Sequence, residues 1–193
     1  PSGTQVSGPG PDGKPVVFEL PEGFTAIAAP LAACQTFDGF AYRDVTTANA
    51  TAGQLLAPFG AYPKLGASVL LGLGGPGPCT AAPITLMAYV DGGRGRAVAQ
   101  AGARRVPPPA TFGYEFFDGV TWQPLGVERD ETAAFTATGR IVVFGPGARA
   151  AKAALGQVAT PLYWLRIRMT GGGYERGPQL ERVVPNTVPA VAA

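Results

Sequence analysis

Near the C-terminal end, Tyr163-Trp164-Leu165-Arg166-Ile167-Arg168-Met169 alternates in character with a period of two. Successive side chains of an extended chain point to opposite faces, so this stretch reads as a strand. Tyr163, Leu165, Ile167 and Met169 share one face; Trp164, Arg166, Arg168 and Thr170 share the other. The first face is apolar enough to enter a core. The second carries two fixed charges and an amphipathic ring, which suits solvent or a partner. Gly171-Gly172-Gly173 then predicts a reversal, because residues without Cβ reach positive φ freely.

The same grammar recurs along the chain. Val16–Leu20, Ala26–Ala33 (cut by Pro30), Val69–Leu73, Ile84–Val90, Arg140–Phe144 and Leu180–Val184 are short apolar runs of strand length. Tyr114–Phe117 and Val120–Trp122 flank Asp118-Gly119, a pair that predicts a hairpin with a type I′ turn. The 28 glycines and 20 prolines fall between these runs rather than in a repeat, so they mark turns joining many short strands. Ala148–Leu155 is Ala-rich and ends at Gly156, which predicts two helical turns, the one helix expected. Thr46–Thr51 is polar and turn-like. Roughly eight or nine strands and almost no helix give an all-β, antiparallel β-sandwich, jelly-roll-like, with a partly open β-barrel as the alternative.

Residues 1–15, rich in Gly, Pro and Ser, read as a flexible linker, and 16–190 as a single sandwich domain. Length and a hydrophobic share of 46% suffice for a sizeable core. The start, Pro1-Ser2-Gly3-Thr4, has no basic and apolar leader pattern and no initiator Met, so the chain is expected to be a piece excised from a longer protein. Residues 94–109 hold Arg94, Arg96, Arg104, Arg105 and Pro107-Pro108-Pro109 and read as a long exposed loop, the main candidate for contacts.

Charge and residue usage exclude much chemistry. The net charge of +2 is small, and the arginine cluster lacks interleaved aromatics, so no nucleic acid is expected as a partner. No run approaches the ~18 apolar residues of a membrane span, and no membrane partner is expected. The absence of histidine removes every His-based triad, general base and metal site. Cys34 and Cys79 are too few for a structural zinc site; a disulfide and two buried free thiols stay open, the thiols being the simpler expectation. Ser2, Ser7 and Ser68 have no base, and Gly72-Leu73-Gly74-Gly75-Pro76 lacks the Lys-Ser/Thr of a phosphate cradle.

Carboxylates and aromatics remain. Glu115 with Asp118 is the spacing to weigh for glycosidic acid–base work, and Asp118, Asp130 and Glu131 for calcium. The expectation for each is a turn residue or a solvated charge. Asn49-Ala50-Thr51 fits a glycosylation triplet with no secretion signal to support it. Trp122, Trp164, Tyr114, Tyr163 and Tyr174 pose a choice between a sugar-stacking platform and core packing, and a sandwich has a core to fill. No catalytic, cofactor-binding or metal-binding residue is assigned, and the chain is not expected to be an enzyme.

Several phrases in succession resemble the putative baseplate assembly protein family, related to baseplate protein J, of contractile injection systems and contractile phage tails. They are Phe59-Gly60 with Pro63, Gly66-Ala67 running into Leu70-Leu71-Gly72-Leu73, and Tyr114-Glu115-Phe116-Phe117-Asp118-Gly119 with Trp122, Pro124 and Leu125. Asp130 and Thr132, Thr138-Gly139-Arg140-Ile141 with Phe144 and Pro146, Tyr163–Arg166 with Gly173-Tyr174 and Pro178, and Asn186-Thr187-Val188 follow in order. The likeness spans about residues 55–190. It implies an inserted β-rich domain of a longer wedge protein with a structural role. The partners implied are other baseplate or sheath proteins; assembly is cytoplasmic, and the domain alone is a monomer. It implies no catalytic residues. The 94–109 loop and the Ala148–Leu155 run depart from the pattern. A carbohydrate-binding or adhesion module on the same sandwich is the competing expectation.

Overall fold

The apolar runs pair where their alternation lets them share a core. The computed structural model describes residues 1–23, 25–77, 79–92 and 109–192. Its strands are β1 (Gln5–Pro9), β2 (Pro15–Glu19), β3 (Leu31–Phe37), β4 (Tyr42–Asp44), β5 (Ser68–Leu73), β6 (Ile84–Val90) and β7 (Ala110–Phe117). They continue with β8 (Trp122–Pro124), β9 (Val127–Asp130), β10 (Gly139–Val143), β11 (Lys152–Leu155), β12 (Val158–Gly172), β13 (Leu180–Pro185) and β14 (Val191–Ala192). A five-residue helix, α1 (Thr46–Ala50), stands where the sequence reads as a polar turn.

Three antiparallel sheets result. The large one runs β4-β3-β5-β12-β7-β8, with β11 also paired to β12. The small one runs β13-β6-β10-β9, and a third joins β1, β2 and β14 near both ends of the described chain. The large and small sheets face each other as a β-sandwich, and no sheet closes into a barrel among the described residues. Among the described residues helix makes up 5%, so strand pairing is the backbone's main hydrogen-bonding solution there.

The core lies between those two sheets. Val69, Leu71, Leu73, Leu165 and Ile167 from the large sheet meet Ile84, Leu86, Ala88, Ile141, Val143 and Val183 from the small one. Every residue of β5 is buried, as its unbroken apolar run predicts, because the strand is covered on both faces. At one end Phe59 stacks on Phe112 (centroids 4.9 Å apart), and Phe135 meets both rings edge-on.

Four local expectations need correction. Ala148–Leu155 makes no two-turn helix: Gly147–Arg149 forms a single 3-10 turn and Lys152–Leu155 is β11. Alanine's helix propensity is a few tenths of a kcal/mol per residue, and pairing with β12 outweighs it. Residues 1–15 are not all linker, since β1 pairs with β2 from Gln5↔Glu19 to Pro9↔Pro15. The glycine run ends β12 later than read: Gly171 and Gly172 still pair with Thr111 and Ala110, across a bulge that follows Met169. Gly172 has φ +73, and a Cβ there would lie 2.2 Å from the Pro109 carbonyl oxygen, so the position requires glycine. The β7–β8 hairpin exists, but its loop is four residues, 118–121, rather than a two-residue type I′ turn. Asp118 Oδ1 accepts from the Val120 and Thr121 amides, both at 2.8 Å, which stabilises the wider turn. The stretch 94–109, apart from Pro109, lies outside the described residues.

Candidate interaction surface

The outward face of β12 reads as suited to solvent or a partner, and much of it is instead covered by this chain. Trp164 is fully buried. It lies over Gly72 of β5, where a Cβ would come within 2.7 Å of Leu162 and 3.0 Å of the indole. The cover is the β11–β12 ribbon itself. Leu155, Val158 and Leu162 close over Ala33, Leu70 and Trp164 to form a second small core on the outer side of the large sheet. The indole N–H donates to the Ala153 carbonyl at 2.8 Å, so the ring is buried with its donor satisfied.

Gln35 fastens the ribbon tip. This side chain is fully buried; its Nε2 donates to the Leu155 carbonyl at 2.9 Å and its Oε1 accepts from the Gln157 amide at 2.7 Å. Gln157 Oε1 in turn accepts from the Asp44 amide at 2.8 Å. Between them Gly156 sits at φ +56, with the Gln35 Oε1 and the Tyr42 ring 2.6 Å from a would-be Cβ. Only glycine serves at this tip.

Farther along β12, Arg166 and Arg168 converge on one carboxylate. Glu115 on β7 stands opposite Arg166 in register. Its Oε2 accepts from Arg166 Nε at 2.7 Å and Arg168 Nε at 3.1 Å, and its Oε1 from Arg168 Nη2 at 3.0 Å. The Glu115 side chain is only 13% exposed. Burial alone would raise its pKa, but the hydrogen bonds and charges of Arg168 and Arg166 outweigh burial and hold the carboxyl below its usual range. Burial lowers the Arg166 pKa, whereas the hydrogen bonds that Arg168 donates to Glu115 raise its own. The Arg166 guanidinium also lies 4.1 Å above the Trp122 ring.

The other carboxylates singled out in the sequence are not brought together. Asp118 is held ionised by the Thr121 and Val120 amides and by Gln123. A glycosidic general acid needs a raised pKa, and both Glu115 and Asp118 are shifted the opposite way. Asp130 accepts from the Tyr114 hydroxyl and, at Oδ1, from the Thr132 amide at 2.8 Å and hydroxyl at 2.7 Å. Glu131 reaches instead toward Arg129 and Arg140.

Asp130 has a structural assignment that sequence reasoning missed. Ala133, Ala134 and Phe135 follow with φ of +48°, +59° and +57°, a left-handed turn without glycine. Such backbone costs roughly 1–2 kcal/mol per residue. It is offset by the wholly buried Phe135 ring, by the Phe135 amide donating to Thr132 Oγ1, and by the Tyr174 hydroxyl donating to the Ala134 carbonyl. The signal in the sequence was Asp followed two residues later by Thr, which is turn chemistry.

The five aromatics do not share a platform. Trp164 is enclosed and Trp122 packs on Phe117, both outside the large sheet. Tyr114, Tyr163 and Tyr174 pack against the main core on its inner side. Core packing, the reading the sequence favours, accounts for these rings, and strand parity divides those on strands between two faces. Asn49 of the glycosylation triplet spends its amide on β13, accepting from the Val183 amide at 2.7 Å and donating to its carbonyl at 3.0 Å. Cys34 and Cys79 are separate buried thiols, and burial pushes Cys34 up to about 12.

What the described surface does present is apolar side chains at one end of the sandwich. Phe40 (83% exposed), Tyr62 (89%) and Leu65 (64%) project from the 38–41 turn and the loop before β5. The two loops touch, since the would-be Cβ of Gly60 lies 2.9 Å from Asp38 Cβ, and Lys64 Nζ sits 3.6 Å above the Phe40 ring. Among the described residues no helix is long and apolar enough to cross a membrane. Set against family models and against curated proteins, the sequence matches none of either.

Proposed function

We propose that the chain is a structural module of the baseplate wedge of a contractile injection system or phage tail, acting through protein–protein contacts. The observation that carries this is the use made of the residues that resemble the baseplate family. Asp130 and Thr132 secure the left-handed turn, Trp164 and Leu70 fill the outer core, and Glu115 is neutralised between arginines. These are architectural duties. The exposed Phe40, Tyr62 and Leu65 supply an apolar surface of the kind a neighbouring subunit covers. The partners are other baseplate or sheath proteins, and assembly takes place in the cytoplasm.

The test is made in the full-length protein and its particle. Deleting the segment should abolish or destabilise sedimenting particles. Phe40→Glu with Tyr62→Glu should lower incorporation while leaving the thermal midpoint of the chain unchanged. Normal particles from the deletion would overturn the proposal. Neighbouring genes for sheath, tube and spike are expected, and their absence would count equally against it.

A further inference from the structure

We propose that Glu22 is a releasable strap that fixes the three-stranded terminal sheet (β1, β2, β14) onto the outer face of the small sheet. The strap stands or falls separately from the baseplate assignment. No residue within β1, β2 or β14 is buried, so apolar packing gives this sheet little hold on the sandwich. Leu20, just after β2, and Ile27 in the following connector are the buried apolar anchors, and two polar fastenings add to them.

The first is Asn186, in the connector after β13. Its Oδ1 accepts from the Ile27 amide at 2.7 Å and its Nδ2 donates to the Ile27 carbonyl at 2.9 Å, which ties both connectors together. Its own amide donates to the Thr85 carbonyl of β6 at 2.9 Å. This clasp is neutral and insensitive to charge.

The second is ionic. Glu22, three residues beyond β2, accepts from Arg140 Nη1 at 2.9 Å and lies 3.4 Å from Arg129 Nη1. Arg140 projects from β10 with its side chain only 8% exposed. Its Nη2 is 3.6 Å from Glu131, and its Nε meets no acceptor among the described residues. Among the described residues Glu22 thus supplies the one short side-chain hydrogen bond to a nearly buried guanidinium, and its loss leaves a buried cation poorly paired. Beneath the strap, Glu22 and Thr25 face Thr85, Arg140 and Val142 across a cleft of about 420 Å³.

Release follows from the same charges. The groups facing Glu22 are Arg140 on β10 and Arg129 on β9, with Glu128, Glu131 and Pro1, which carries the terminal amine, beside them. The Arg140 hydrogen bond and charge, then Arg129, hold the Glu22 carboxyl below its ordinary 4.5. A lowered carboxylate pKa means the strap is fully formed above pH 4.5 and is lost as pH falls through the lowered value. Glu22 is about half exposed, so salt weakens the strap as well.

Hydrogen exchange on the 193-residue chain, read by mass spectrometry, tests this. Glu22→Gln should speed exchange in β1, β2 and β14 on the order of tenfold, with β5, β6 and β12 unchanged. High salt should do the same to the wild type and add nothing to the variant. Asn186→Gly, which keeps the positive φ and removes the amide, should loosen the same sheet at any salt concentration. Unchanged exchange in Glu22→Gln, or acceleration spread equally over β5 and β12, would overturn the proposal.

Discussion

Between Leu162 and Met169, β12 has most of both faces covered, by different means. The inner face, Leu165, Ile167 and Met169, meets other elements of the core and needs only apolar bulk. The outer face is closed by the strand's own ribbon at Trp164 and by shared charge at Arg166 and Arg168. Parity along a strand fixes which residues share a face; it does not say what covers that face. Burial on the outer side therefore depends on particular partners, Gly72, Gln35, Gly156 and Glu115, rather than on hydrophobicity.

Denaturant unfolding of single variants can break this comparison. Trp164→Ala should cost about 3–5 kcal/mol and Leu165→Ala about 2–5 kcal/mol, since both leave cavities in enclosed sites. A loss below about 1 kcal/mol for Trp164→Ala would mean the outer core is open. Gly72→Ala places a methyl 2.7 Å from Leu162 and should cost about 1–3 kcal/mol by overpacking. At the charged end, Glu115→Ala should cost about 1–3 kcal/mol, because it removes hydrogen bonds to two charged groups.

A pH series sharpens the same contrast. The Glu115 carboxyl lies below its ordinary 4.5, so its contribution is complete above that pH and disappears as pH falls through the lowered value. Glu115→Gln should flatten the acid side of the stability curve, whereas Leu165→Ala should shift the whole curve down without changing its slope. The smallest effect concerns the thiols. Burial raises the pKa of both cysteines, so native protein should resist thiol-labelling reagents near neutral pH, and reducing agent should not move the unfolding midpoint. Rapid labelling of Cys34 in native protein would contradict its enclosure in the main core.

The all-β class, the buried run in β5 and the inner face of β12 were legible because each follows from local alternation or from an unbroken apolar run. The ribbon was not. Ala148–Leu155 has helix-forming residues, and only its pairing with β12 makes part of it a strand. Trp164 looked solvent-facing because its neighbours are arginines, and its cover is a ribbon whose tip is fastened by a hydrogen bond between residues 35 and 157. The left-handed turn escaped notice because two alanines and a phenylalanine are poor candidates for positive φ, and only the core contacts of Phe135 justify it. For an interaction surface the sequence pointed to the arginine face, which Glu115 and Trp122 partly cover, and to the 94–109 loop, which apart from Pro109 lies outside the described residues; the projecting Phe40, Tyr62 and Leu65 depend on how two loops meet.

The seat of Gln35 under the ribbon tip has a kinetic consequence. Its bonds to Leu155 and Gln157 span 120 and 122 residues of chain. Contacts this distant in sequence carry closure entropy and slow folding, as do the β5–β12 pairings of the sheet beneath. Until all of them close, Trp164 and Leu70 lie open, and chains at high concentration would meet one another at that indole-bearing face before each has closed over its own.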